Sequence, residues 1–196
     1  MRWGIALAAV VFLAACSTRG GTTPRDSGVG FDSSPDSEAD TRPPPSDTGP
    51  DLSSVLVYAH SRDTLFTFSP ATLTVERVGQ FRTAGGTMSP NMLDLAVDAD
   101  GNVFTSSADA LWTVDPETAT VTMVGSFGLS DQLYALSFLF PGELSPGEEL
   151  IGAANSGTYY RIDRATARAT RLGDYPEPWR SSGDIVSVEG LGTFAT

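Results

Sequence analysis

The 196-residue chain contains no lysine, so all of its 12 positive side chains are arginine. That absence removes Schiff-base chemistry and any lysine nucleophile or general base. Cys16 is the only cysteine and His60 the only histidine. An intramolecular disulfide is thereby excluded, and so is a clustered His/Cys zinc site built by this chain alone. Positive charge is itself scarce: 24 acidic residues give a net charge of −12 and a pI near 4.3. Nucleic-acid binding rests on cationic neutralisation of phosphate, so nucleic acid is not an expected partner. Long apolar runs are missing too. Trp3 to Ala15 would make about 20 Å of helix, short of the roughly 30 Å hydrocarbon core of a bilayer.

What stands at the amino end is a positive Met1-Arg2, that apolar run, and then Leu13-Ala14-Ala15-Cys16. The order is that of a signal peptide over residues 1–15. The last four residues resemble the bacterial lipobox, whose small residues admit the lipoprotein signal peptidase before a lipid-modified cysteine. The resemblance implies that Cys16 becomes an acylated amino terminus and that the membrane is a partner through it. Several acyl chains, at about 0.8 kcal/mol per buried CH₂, anchor stably where one chain does not. Ser17 in place of Asp resembles the sorting pattern of outer-membrane lipoproteins, which implies a bacterial cell-envelope address. The alternative, a cleaved secretory peptide with an incidental cysteine, leaves the position of the only cysteine unexplained.

Residues 16–53 read as a tether. Six prolines, seven acids and a single aromatic, Phe31, leave too little apolar surface between Ser17 and Ser53 to offset chain entropy. The segment is expected to be a disordered, acid-extended spacer rather than a calcium- or partner-binding tail.

From residue 54 the chain repeats itself. Leu65 to Phe81, Leu111 to Phe127 and Tyr159 to Tyr175 carry one pattern. With Phe66, Trp112 and Tyr160 in one column, Ser69, Asp115 and Asp163 align, as do Thr72, Thr118 and Thr166, and Gly79, Gly125 and Gly173, at offsets of 46 and 48. A fixed period of this size marks a repeat architecture. Apolar residues alternate within each copy, with Val124 a bulge or turn away from Val121, and the alternation predicts strands. Asp115-Pro116 has the chemistry of a tight turn. Two further strands precede each hairpin, as in Leu93 to Ser107 around Asp98-Ala99-Asp100-Gly101. One repeat is therefore four short antiparallel strands in about 46 residues, the length of a β-propeller blade.

Asp98 to Val103 and Trp112 to Ala119 resemble the hairpins and turns of secreted bacterial β-propellers of the NHL/YVTN type, with Ala119 and Ala167 where glycine is usual. The resemblance spans residues 54–196 and implies an all-β fold of propeller-type blades. About three blades are present in an incomplete ring: strands near Val55 to Ala59, Leu65 to Phe68 and Val75 to Val78, two complete blades, then a strand at Ile185 to Val188 and part of another. The count fits the amino-terminal part of a longer propeller, or two chains assembling one six- or seven-bladed ring as a homo-oligomer. Because nothing polar or turn-like follows Gly192 to Thr196, the first is the expectation.

Candidate chemistry is sparse. Asp98 to Asn102 looks like the start of a calcium loop but lacks the full ligand spacing and a closing glutamate, so a hairpin turn is expected and no metal. His60, with Ser61 and Asp63 nearby, is expected to be a solvent-facing strand-end residue rather than part of a triad. Glu143, Glu148 and Glu149 read as a solvated acidic loop, not a glycosidase pair. The connections 79–92 and 173–184 supply the residues expected to bind a ligand: Arg82, Tyr175, Trp179 and Arg180, since aromatic and arginine side chains dominate binding hot spots. The alternative, Trp179 packed under its own loop, stays open. No cofactor and no catalytic residue are expected. The sequence points to a non-enzymatic, lipid-anchored binding or scaffolding module for a protein, small-molecule or glycan ligand. A fragment of a propeller enzyme and a nonfunctional truncated product are the alternatives.

Overall fold

The computed structural model describes residues 51–195. The signal peptide, Cys16 and all but the last three residues of the tether lie outside them. Within them every regular element is a strand. Strands β1 (Val57–His60), β2 (Thr64–Ser69) and β3 (Thr74–Gln80) form one antiparallel sheet. The second sheet contains β4 (Arg82–Thr83), β5 (Asp94–Val97), β6 (Val103–Ser106), β7 (Ala110–Val114) and β8 (Thr120–Ser126), in the order β4-β8-β7-β6-β5. Strands β9 (Leu133–Leu139), β10 (Glu149–Ala154), β11 (Thr158–Ile162) and β12 (Ala169–Asp174) make a four-stranded meander, and β13 (Ile185–Val188) pairs with β14 (Gly192–Ala195). No barrel or ring closes among the described residues.

The repeat in the sequence is a repeat in geometry. Asp115 Oδ1 accepts the amide of Glu117 at 2.9 Å, and Asp163 Oδ1 accepts those of Ala165 and Thr166, so each aspartate fixes the turn that follows it. Each turn then passes through a left-handed residue: Leu73, Ala119 and Ala167 have φ of 56°, 58° and 63°. The glycine usual at this position in such turns has a physical reason, since only glycine adopts the left-handed region without steric cost. On the outer strand the register shifts once per copy, between Leu65 and Phe66, Leu111 and Trp112, and Tyr159 and Tyr160. Val78, Val124 and Leu172 are the extra residues, which makes the expected bulge a property of all three copies.

Successive sheets pack face to face. Leu65, Phe81, Val103, Trp112 and Val121 form a core between the first and second sheets. Phe104, Leu111, Phe127, Leu136, Phe138 and Ile162 form another between the second and third. Each such side chain, removed from water, contributes about 1.5–3 kcal/mol. Phe104 meets Phe138 edge-on at 5.7 Å, a preferred aromatic geometry. The aromatic that ends each copy seals the junction: Phe81 and Phe127 are buried, and Phe127 O accepts the amide of Ala169.

The glycines of the bulged strands set how closely the copies approach. A Cβ on Gly79 would stand 3.3 Å from Thr118 O, and one on Gly125 would stand 2.7 Å from Thr166 O. The left-handed turn of each copy is thus seated over the glycine of the copy before it. One element escaped the sequence pattern. Arg82 and Thr83, read as loop, run parallel to Thr120 and Val121 as β4, because the chain leaving Phe81 must pass alongside the turn that covers Gly79.

Candidate functional site

The connection after β12 is built on the β10–β11 turn. Gly157, at φ +92°, lies so close to this connection that a Cβ would meet Trp179 O at 3.1 Å and Tyr175 Cβ at 3.5 Å. Tyr175 donates its amide to Gly157 O at 2.7 Å, and Thr158 Oγ1 donates to Asp174 Oδ1 at 2.8 Å. Arg171 completes this corner by pairing with Asp174. The Tyr175 ring packs on Tyr159 at 4.5 Å between centroids, and burial beside Tyr175 pushes the Tyr159 hydroxyl up to about 12, so it stays protonated. Arg180 Nη1 donates to Ser156 O at 2.8 Å and lies 3.5 Å from Glu177 Oε1.

On this frame Trp179 is 68% exposed. Its ring does not pack under the loop; its backbone is held and its indole is presented to solvent. Three of the four expected binding residues, Tyr175, Trp179 and Arg180, therefore belong to one hydrogen-bonded corner. The fourth does not join them. Arg82 belongs to the connection between the first and second sheets, where its guanidinium donates to Gln80 Oε1 at 2.9 Å and Gly86 O at 3.3 Å.

The other candidate groups are occupied by local bonds. Asp98 is buried, and its carboxylate accepts the amides of Asp100 and Asn102, the Asn102 side chain and, at 3.1 Å, Arg164 Nη1. That set holds a hairpin turn and leaves little for a cation. Among the described residues no group of three or more His, Cys, Asp or Glu side chains is placed to hold a metal ion. His60 Nδ1 lies 2.9 Å from Ser61 O while the Ser61 hydroxyl donates to Asp63 at 3.0 Å, so no serine hydroxyl is aimed at the imidazole. The ring is half-buried rather than fully solvent-facing. It leans on Phe81 at 6.3 Å, and burial lowers its pKa, because desolvation disfavours the cation.

In the acidic loop Glu143 is exposed as expected and accepts the hydroxyls of Ser187 and Thr193, whereas Glu148 and Glu149 are half-buried. Glu149 binds Arg161 through two bonds of 2.8 Å. Glu148 accepts the amide of Ala99 at 3.2 Å and lies 3.9 Å from Arg164, whose guanidinium also sits 5.6 Å over the Phe138 ring. These pairs line a cleft of about 580 Å³. Burial, the largest effect, raises the pKa of Glu148. Because Ala99 and Glu148 are separated by 49 residues, nothing in the local sequence could have paired them.

No protein-family model and no curated protein matches the chain. Among solved structures it is similar to U3-55K, at 12% identity and a TM-score of 0.45 over 66% of this chain and 38% of that one. It is also similar to the extracellular domain of the putative one component system BT4673 from B. thetaiotaomicron, at 11% identity and a TM-score of 0.44 over 70% of this chain and 18% of that one. The chain spans well under two thirds of either protein's length.

Proposed function

We propose that this is a lipid-anchored envelope protein whose sheets are blades of a β-propeller and whose corner at Tyr175, Trp179 and Arg180 binds a protein or glycan ligand without catalysing a reaction. The exposed indole of Trp179 on a hydrogen-bonded frame carries this reading. An indole on a held backbone offers a large apolar surface with only two side-chain torsions to order on binding, and arginine beside it supplies directed donors. The propeller reading draws support from the four-stranded meanders β5 to β8 and β9 to β12, stacked face to face with the first strands β5 and β9 in contact. The anchor rests on Leu13 to Cys16 in the sequence.

Binding is tested with immobilised peptidoglycan fragments and with solubilised envelope proteins, against the parent and the variants Trp179→Ala and Arg180→Ala. Capture by the parent that both variants lose at an unchanged melting temperature is the expected result. A parent that captures neither class, or variants whose melting temperature falls together with capture, would overturn the reading. Radiolabelled palmitate should enter the parent and not Cys16→Ala; no label in the parent sinks the anchor.

A further inference from the structure

The two internal junctions share a knob and a hole, and each half of that pair also occurs once without its mate. The knob is the left-handed turn: Ala119 and Ala167 are fully buried over Gly79 and Gly125, whereas Leu73, with the same φ, is 77% exposed. Its turn keeps the threonine pair of the others, with Thr72 Oγ1 2.7 Å from Thr74 Oγ1 as Thr118 Oγ1 is 2.8 Å from Thr120 Oγ1, although Ser69 stands where they have Asp115 and Asp163. The hole is the bulge glycine. Around Gly173 a Cβ would meet nothing within 4 Å, and the neighbouring Leu172 is exposed.

Two further positions repeat this contrast. Asp94, which opens β5, accepts the amide of Leu136 from β9 at 2.6 Å. Asp184, immediately before β13, occupies the corresponding place and has Oδ1 buried without a partner. The last contrast is in the strands. Among the described residues the sheet β1-β2-β3 has no counterpart of the first strand that β5 and β9 provide in the other copies, and β13 is a first strand paired only with the four-residue β14. Register places Tyr58-Ala59 of β1 where Phe104-Thr105 stands in the second copy, and Phe194-Ala195 of β14 falls at the same place. An aromatic followed by alanine thus occurs in both strands that could sit beside β13.

We infer that two copies of this chain join head to tail: the Thr72-Leu73 turn of one seats over Gly173 of the other, and β1 replaces β14 beside β13, completing a four-stranded sheet β13-β1-β2-β3 across the junction. Two such junctions close a two-fold ring of six sheets, within the 4–8 blades in which propellers close. Leu73 brings more apolar surface than the alanines, and exposed Leu172 lies beside the glycine that receives it. The exchange costs the short β13–β14 pairing and returns an equivalent one, while the exposed faces of Leu73 and Leu172 leave water. The inference rests on the blade reading of the sheets, but not on Trp179 binding a ligand.

Disulfide trapping tests it, because the internal knob and hole already stand at disulfide spacing. A Cβ on Gly79 would lie 3.5 Å from Ala119 Cβ, and one on Gly125 would lie 3.4 Å from Ala167 Cβ, against about 3.5–4.5 Å between the Cβ atoms of a disulfide. Full-length chains carrying Cys16→Ser and either Leu73→Cys or Gly173→Cys are mixed and oxidised. A 73–173 disulfide formed only in the mixture is expected, and the unmixed full-length chain should sediment at twice its 20.6 kDa. Gly173→Arg should keep the β circular-dichroism spectrum and weaken dimerisation about tenfold or more. A folded monomer at every concentration, as a further repeat in a longer polypeptide would give, overturns the inference and leaves the Trp179 reading standing. Products of 73–73 or 173–173 type overturn it as well, since they require a head-to-head contact.

Discussion

Gly125 and Gly173 occupy the same place in successive copies, follow the same kind of bulge and end the same kind of strand, yet one is pressed against a neighbouring carbonyl and the other faces open space. The comparison extends to Ala119 and Leu73, to Asp94 and Asp184, and to Val124 and Leu172. Local sequence builds the same strand, bulge and turn each time; what differs is whether a neighbouring copy covers it. The burial of a residue in this fold is therefore a property of the junction rather than of the repeat.

The largest effect should come from the covered aspartate. Burial pushes Asp94 up to about 8, with the charge of nearby Asp184 adding to it and two backbone amides opposing. A group whose folded pKa is raised stabilises fully below its unfolded pKa of about 4, and that stability is lost as pH rises toward 8. Urea denaturation should therefore show stability falling by a few kcal/mol, in order of magnitude, between about pH 4 and 8. Asp94→Asn should flatten that slope, since an amide oxygen still accepts one backbone N–H. Asp184, also raised by burial but half-buried, should contribute a smaller slope of the same sign. An unchanged slope in Asp94→Asn would break the comparison at its strongest point.

Next come the glycines. Gly125→Ala forces a methyl to within 2.7 Å of Thr166 O and should cost about 1–3 kcal/mol, with Gly79→Ala less costly at 3.3 Å. Gly173→Ala, measured at concentrations where the chain is monomeric, should change the unfolding midpoint negligibly. Equal losses at all three positions would mean that the glycines serve backbone conformation and not the approach of the next copy. The smallest effect concerns the knobs. Leu73→Gly, also measured at concentrations where the chain is monomeric, should stabilise by up to about 1 kcal/mol, because left-handed strain is relieved and little buried surface is lost there. Ala119→Gly should gain nothing net, since its buried methyl, worth about 0.8 kcal/mol, goes with the strain. A gain at Ala119 matching that at Leu73 would show that the methyl does not pack.

The strands were legible because their signals are local. Alternation located β2, β3, β7, β8, β11 and β12 to within a few residues, and Asp115 with Pro116 announced a turn that the Asp115 carboxylate then makes. Even the step at Val124 was readable, because Val121 and Val124 cannot share one face of an unbroken strand. What stayed hidden depends on contacts between copies. The bonds of Glu148 to Ala99, and of Arg164 to Asp98, cross from one hairpin to the next, and no periodicity along the chain announces them. The same holds for His60, whose strand-end position suggested full exposure, whereas Phe81, just beyond β3, packs beside the ring and leaves it half-buried. The candidate corner was half legible: residue type singled out Trp179 and Arg180, but the frame that holds their backbone and the Arg180 guanidinium comes from Gly157 and Ser156 in another hairpin.

The bulge at Val78, Val124 and Leu172 bears on how these sheets can meet anything else. An outer strand that gains a residue bends and twists there, so a foreign strand laid along it falls out of register within a few residues. Sideways extension is discouraged, while the same bulge presents a glycine outward to receive a turn. At the bulged edges association is thereby steered toward stacking, face upon face. Along those edges the molecule admits a stacked neighbour and resists fusing rim to rim.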